Sequence, residues 1–345
     1  MQTNLKILAA VSAAVTFILT VLISRTVIPI LKSRKMGQKI LDIGPRWHKS
    51  KEGTPTMGGI SFIFAMTVVV IVDIVILSLW LGRVPASLTA TFVYALFCAF
   101  IGCIDDSAKL RKKQNEGLTP IQKLVLQFAA AGTYIAVLVL VGCIKDSLWI
   151  PFIGNIDGLG IIYYIMLVIL AVGVMNSVNL ADGIDGLAST ETLTVAVFFI
   201  LAGGIKYAES GEISAGLMTL GAVTAGGMLG FLVYNFHPAR VFMGDTGSLF
   251  LGGIVMGGAL LMDLPILVIV YGFMYILETI SDIIQVVYFK LTHGKRFFKM
   301  APIHHHFEKC GWGEIKIVVI FSLLTALLCA LSYRLLPALS VVLGI

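Results

Sequence analysis

Long apolar runs separated by short polar breaks dominate this 345-residue chain. Ten runs stand out as candidate helices, at about 7–30, 58–80, 87–104, 121–143, 161–178, 190–203, 213–234, 246–262, 264–287 and 315–342. Most approach or exceed the roughly 20 residues that a helix needs to cross about 30 Å of hydrocarbon. Backbone polar groups in lipid must bond within their own segment, so runs of this length predict helices. The pattern therefore predicts an all-α, polytopic integral membrane protein with about ten transmembrane helices and five cytoplasmic loops, built as one domain over 1–345. Span 190–203 is short, and Asp263-Leu264-Pro265 leaves room only for a tight turn. Segment 144–160 predicts a short hairpin or interfacial turn, with Trp149 at headgroup level.

Composition sharpens this picture. The chain is 58% hydrophobic and 13% charged, whereas a soluble domain is about half apolar and a quarter charged. Its 35 glycines suit helices that approach closely in lipid. Cys98, Cys103, Cys143, Cys310 and Cys329 show no paired spacing, so neither a disulfide framework nor a zinc knuckle is expected. The apolar stretch from Ile7 runs on to about Ile30, too long for the core of a cleaved signal.

Charge then assigns the sides. With ten alternating spans, only Lys6, Arg83, Lys145, Lys206 and Arg334 of the 25 basic residues fall on one side. The rest gather on the other, which the positive-inside rule makes cytoplasmic. Both termini are then expected on the outer side of the membrane.

Five polar islands lie on the basic side. One is the basic loop between the first two spans. Asp105-Asp106-Ser-Ala-Lys109 ends the third span. Two adjacent carboxylates there can hold a hard cation or raise one another's pKa; the plainer reading is a solvated helix end. Asn176, Asn179 and Asp182 recur every third residue before Gly183, Asp185 and Gly186. They offer acceptors to a sugar or base and oxygen ligands to a metal, or serve as glue between helices. Met243-Gly244-Asp245-Thr246-Gly247 opens the eighth span. A helix N-terminus favours an anion, and Asp245 would repel one unless Mg²⁺ intervened. Alternatively, Asp245 is the N-cap of that span. His304-His305-His306 cannot all face one metal from a regular helix, which disfavours a zinc tract. Binding of diphosphate or proton transfer suits them better. Asp73, Glu278 and Asp282 lie within spans, where carboxylates are functional candidates by default; for Glu278 and Asp282, packing or a dimer interface is the expectation.

These motifs carry a resemblance that runs almost end to end. It covers Gly53-Thr-Pro-Thr56-Met-Gly-Gly59, Asp105-Asp106-x-x-Lys109 and Asn176-x-x-Asn179-Leu-x-Asp182-Gly-x-Asp185-Gly-Leu. It continues through Asn235, Asp245-Thr-Gly-Ser248 and Pro302-Ile-His304-His-His306-Phe-Glu308-x-x-Gly311-Trp312. The chain resembles the phospho-N-acetylmuramoyl-pentapeptide transferases, among the polyprenyl-phosphate N-acetylhexosamine-1-phosphate transferases. The resemblance implies a ten-helix fold, a homodimer and a Mg²⁺-dependent cytoplasmic active site. It implies transfer of phospho-MurNAc-pentapeptide from UDP-MurNAc-pentapeptide to undecaprenyl phosphate, giving lipid I and UMP. Asp245 matches a magnesium ligand, and Asp105 and Asp106 a catalytic pair. Asn179, Asp182 and Asp185 match the uridine and sugar region. Lys109, Lys123, Asn235 and His304 match phosphate and catalytic contacts, and Thr56, Asn176, His305 and His306 join the expected substrate-binding set.

The expected chemistry is attack by the lipid phosphate with Asp105 as base, or a two-step route through a phospho-aspartate on Asp106. A sister transferase that uses UDP-GlcNAc shares the aspartate motifs, and the last loop favours the muramoyl substrate. A proton-coupled transporter is the alternative of another class, disfavoured because the motifs cluster at one surface. No nucleic-acid partner is expected.

Overall fold

The computed structural model describes residues 2–34, 51, 53–112, 117–150, 153–205 and 211–342. Several basic residues counted above, among them Lys35, Lys39, Arg46, Lys49, Lys113 and Lys206, lie outside the described residues.

The chain is helical nearly throughout. The helices are α1 (Gln2–Ser33), α2 (Gly59–Leu81), α3 (Ala86–Lys112), α4 (Pro120–Leu140), α5 (Ile161–Ala181) and α6 (Leu187–Gly203). They continue as α7 (Gly211–Asn235), α8 (Gly244–Leu261), α9 (Leu267–Tyr271), α10 (Phe273–Leu291), α11 (Ile303–Lys309) and α12 (Glu314–Val342). Among the described residues, eight helices are long and apolar enough to cross a membrane. Two of the ten expected spans differ from that description. The sixth is an apolar helix of 17 residues. The ninth breaks at Gly272 into the short α9 and the longer α10. The backbone bonds Gly272 N to Val268 O (2.8 Å) and Ile276 N to Gly272 O (3.1 Å) bridge the break. It is a glycine kink rather than a chain reversal.

Between α4 and α5 the expected hairpin forms. Strands β1 (Ser147–Ile150) and β2 (Gly154–Asp157) pair antiparallel, with Trp149 opposite Asn155. Asp146 closes its base by accepting from Gly160 N at 2.9 Å.

Helix α8 is the central post, with every residue from Thr246 to Leu261 buried. A helix that is apolar all round belongs in such a position. It packs most extensively against α3, then against α5. The lipid-facing side is supplied by outer helices, as in α4, where Ile121, Val125 and Leu140 are exposed. Some polar groups inside the bundle are tied in pairs. Ser12 on α1 donates to Asp73 on α2 at 2.9 Å, and Ser24 donates to Ser61 at 2.8 Å. Asp73 thus has a local partner within the bundle, away from the polar islands.

Candidate active site

Helix α3 runs past its apolar stretch to Lys112 and so carries Asp105, Asp106 and Lys109 on its last turns. The i, i+4 spacing brings Lys109 Nζ to 2.8 Å from Asp105 Oδ2. At Gly102 the helix meets the start of α8. A Cβ there would overlap the Asp245 carbonyl, so only glycine permits the crossing. One turn on, Asp106 reaches the N-terminus of α8. It accepts from Asp245 N (3.2 Å), Thr246 N (2.9 Å) and Thr246 Oγ1 (2.7 Å). The first amides of any helix lack partners inside it. Met243, at the N-cap position, supplies no side-chain cap, so a carboxylate from another helix does. Asp245 is therefore not the N-cap of its own helix.

Asp245 stands in the first turn of α8, half-buried. Its Oδ2 accepts from Lys123 at 2.7 Å and Lys109 at 2.9 Å, and its Oδ1 accepts from Asn179 at 3.0 Å. Asn179 also donates to Ser248 at 2.7 Å. Lys123 owes its place to the start of α4. There Thr119 and Gln122 form a reciprocal capping box around Pro120. Asp105 is buried, accepts from Leu118 N at 2.7 Å, and shares Lys109 with Asp245. Thr56 arrives with the first loop, held by the backbone bond from Phe242 N to Pro55 O (2.8 Å). A Cβ on Gly244 would stand 2.9 Å from Thr56 Oγ1 and 2.7 Å from Asp106 Oδ2.

Asp182 caps the C-terminus of α5 beside this group. Burial, followed by the carboxylates of Asp245, Asp106 and Asp185, pushes its carboxyl well above the usual range. Asp185 belongs to a second knot. It accepts from Lys51 (2.7 Å), His237 (3.1 Å) and Ala239 N (2.9 Å). Glu314 accepts from the same Lys51 at 2.7 Å and from Asp185 N at 3.1 Å. Asp185, His237 and Glu314 lie close enough to share a cation, and the Lys51 ammonium bonds both carboxylates. Sequence reasoning did not single out Lys51, His237 or Glu314. Their signal was proximity to motifs: each lies two residues from Gly53, Asn235 or Trp312.

Other expected site residues turn elsewhere. Asn176 exchanges hydrogen bonds with Gln127 at 2.8 and 3.2 Å and donates to Val172 O. Asn235 is buried, accepting from Ser189 and donating to Val241 O. On the single helix α11 the three histidines bond different partners. His304 pairs with Glu278 at 3.0 Å, His305 with Glu308 at 2.6 Å, and His306 accepts from Lys299 N at 3.1 Å. Glu278, expected to pack, thus meets an expected site residue.

Three carboxylates, Asp105, Asp106 and Asp245, face two ammonium groups, Lys109 and Lys123. The cluster keeps one negative charge in excess, on oxygen donors of the kind that a hard divalent cation takes. Asp105 and Asp245 share the Lys109 ammonium, at 2.8 and 2.9 Å, a position between two carboxylates that a divalent cation can also take. The residues present fit Mg²⁺. The lysines are placed to receive phosphate oxygens, so this end of the bundle can hold phosphoryl groups at a metal.

Comparison with known proteins adds the family. The model of glycosyl transferase family 4 matches residues 88–263. The phospho-N-acetylmuramoyl-pentapeptide-transferase of Clostridium acetobutylicum is 44% identical over 327 residues, covering 93% of this chain and 97% of that protein. The protein of that name from Clostridium novyi is 42% identical, covering 93% and 95%. That from Clostridium perfringens strain 13 is 41% identical, covering 92% and 96%.

Proposed function

The chain belongs to the phospho-N-acetylmuramoyl-pentapeptide-transferase family, within glycosyl transferase family 4, and on that premise we propose that it makes lipid I. It transfers phospho-MurNAc-pentapeptide from UDP-MurNAc-pentapeptide to undecaprenyl phosphate and releases UMP. The observation that carries this reading is the meeting of Asp105, Asp106 and Asp245 with Lys109 and Lys123 at one end of the bundle.

Phosphoryl transfer asks a protein mainly for position and charge neutralisation. Asp245, with Asp105 beside it, would hold Mg²⁺, which when bound neutralises the diphosphate and the departing UMP. Lys109 and Lys123 receive the phosphate of the lipid acceptor. Asp105 keeps that phosphate deprotonated, a modest task because its second pKa is near 6. An acceptor oxygen bonds to the sugar-bearing phosphorus as the bond from that phosphorus to the UMP oxygen breaks. Asp182 bonds the nucleotide sugar, and Asn179 fixes the Asp245 carboxylate.

Direct attack is favoured over a phospho-aspartate on Asp106. The Asp106 carboxylate accepts three hydrogen bonds at the α8 N-terminus, and bonding phosphorus to one of its oxygens would remove the charge that strengthens them. The site faces the cytoplasm, both termini face outward, and the protein works as a homodimer. Lys32, Lys290 and Lys316, at helix ends on the side of the carboxylates, support that orientation. Radiolabelled UMP exchange by purified protein tests the whole reading, with UDP-MurNAc-pentapeptide and UDP-GlcNAc compared with and without Mg²⁺. Exchange from the muramoyl donor alone, lost on chelation, is expected. Exchange from UDP-GlcNAc alone would move the chain to the sister reaction.

A further inference from the structure

We infer that Glu278 is a positioning residue for His304, fixing the imidazole so that its Nε2 is kept for the nucleotide-sugar substrate. The inference rests on the reading that His304 touches that substrate.

Glu278 lies on α10 and is 1% exposed, and His304 lies in the first turn of α11 and is 0% exposed. A carboxylate at such a position is costly unless paired. Its Oε2 accepts from His304 Nδ1 at 3.0 Å and also faces His304 N at 3.4 Å. Two bonds to one residue set both the ring and the helix start that carries it. Bonding of Nδ1 to a carboxylate keeps the proton there in the neutral ring and leaves Nε2 for another partner.

Nε2 has no hydrogen-bond partner among the described residues, although it is buried. Buried polar atoms in proteins are nearly always satisfied, so an orphan one asks what completes it. The atom abuts Gly183, where a Cβ would overlap it. Gly183 follows Asp182 in the turn between α5 and α6, which also carries Asp185. The orphan nitrogen is thus directed at the segment that the function assigns to the nucleotide sugar. A hydroxyl or amide N–H of that substrate, entering between α11 and this turn, donates to Nε2 and gives it its partner.

Other titratable groups face the pair. Glu191 from α6 lies near Glu278, and Asp282, one turn along α10, feels both Glu278 and His304. The His305 ring lies 4.1 Å from that of His304, centroid to centroid. Neither Glu191 nor Asp282 bonds to the imidazole among the described contacts, so Glu278 is the carboxylate that orients it.

The test is a double-variant cycle on the purified full chain, with kcat and KM for the UDP-sugar donor measured in Glu278→Gln, His304→Asn and the combined variant. Glu278→Gln should lower kcat/KM by about 10- to 100-fold, as loss of a supporting partner does at other sites. The combined variant should be no worse than His304→Asn. Losses that multiply overturn the proposal, as does a fully active Glu278→Gln. Full activity of His304→Asn refutes the assignment of His304 to the substrate, and this proposal falls with it. A measurement on the unaltered protein guards against misfolded variants. In ¹⁵N-histidine spectra the neutral His304 ring should carry its proton on Nδ1, and a proton on Nε2 overturns the proposal.

Discussion

Asp106 on α3 caps the helix that begins beside Thr246, with its Oδ2 2.9 Å from Thr246 N and 2.7 Å from Thr246 Oγ1. The carboxylate thereby ties the end of one membrane helix to the start of another. It also fixes where Asp245, one residue before Thr246, must stand. Removing an N-cap costs about 1 kcal/mol, so Asp106→Ala should lower thermal stability as well as abolish exchange. Thr246→Val, which spares the amide bond, should lose less than about 1.5 kcal/mol and keep partial activity. Unfolding midpoints and UMP exchange, measured on both variants, check this. An Asp106→Ala protein with unaltered stability would remove the capping role.

Asp245→Asn should abolish turnover while leaving the protein folded and inserted. The amide keeps an acceptor for Asn179 but loses the charge that Lys109 and Lys123 share. Size-exclusion behaviour in detergent should match the unaltered protein. Near-normal exchange by this variant would refute the metal and phosphate assignment.

Asp263 sits in the turn between α8 and α9, at the end of the bundle away from the carboxylates. Burial raises its carboxyl to about 7, against the pull of Lys145. The unfolded chain releases the same proton near pH 4. Between those values the folded state holds more protons, so stability falls as pH rises from about 4 to 7 and levels off above. Asp263→Asn should therefore raise the unfolding midpoint at pH 8 and leave it nearly unchanged at pH 4. Asparagine also suits the φ of 53° found there. Equal midpoints for both proteins at pH 8 would contradict the burial argument.

Gly102→Ala puts a methyl group against the Asp245 carbonyl. Overpacking of this kind costs about 1–3 kcal/mol. Exchange should fall further than stability, because α3 carries two site carboxylates and a lysine just beyond the crossing. Wild-type exchange in Gly102→Ala would show that the crossing tolerates more separation than its geometry suggests.

Much of this was legible in the sequence. Apolar runs gave the helices, Gly-Asp-Thr-Gly marked the start of α8, and the Trp149 segment gave its hairpin. Asn179 and Asp245 were expected on one face in different roles, and they are bonded to each other. The rest required tertiary placement. The charge at Asp106 says nothing of a cap, because the capped helix begins 138 residues later in the sequence. Lys51 sat in a loop of many basic residues, with nothing to single out its bonds to Asp185 and Glu314. Gly272 was one glycine among 35 in apolar surroundings, and only the observed backbone shows it as a break. Glu278 was visible as a carboxylate in a span, but its partner lies on a separate helix.

The close approach at Gly102 is one of several along a single seam. Further along the same two helices, Gly253 meets Ala95 and Gly257 meets Thr91, so α3 and α8 touch through glycine at three levels. Small residues that let backbones meet are how helices associate where lipid offers no hydrophobic drive. Asp105 and Asp106 ride on α3 and Asp245 on α8, so the seam sets the separation of these carboxylates, and the site inherits its spacing from helix contact rather than from loops.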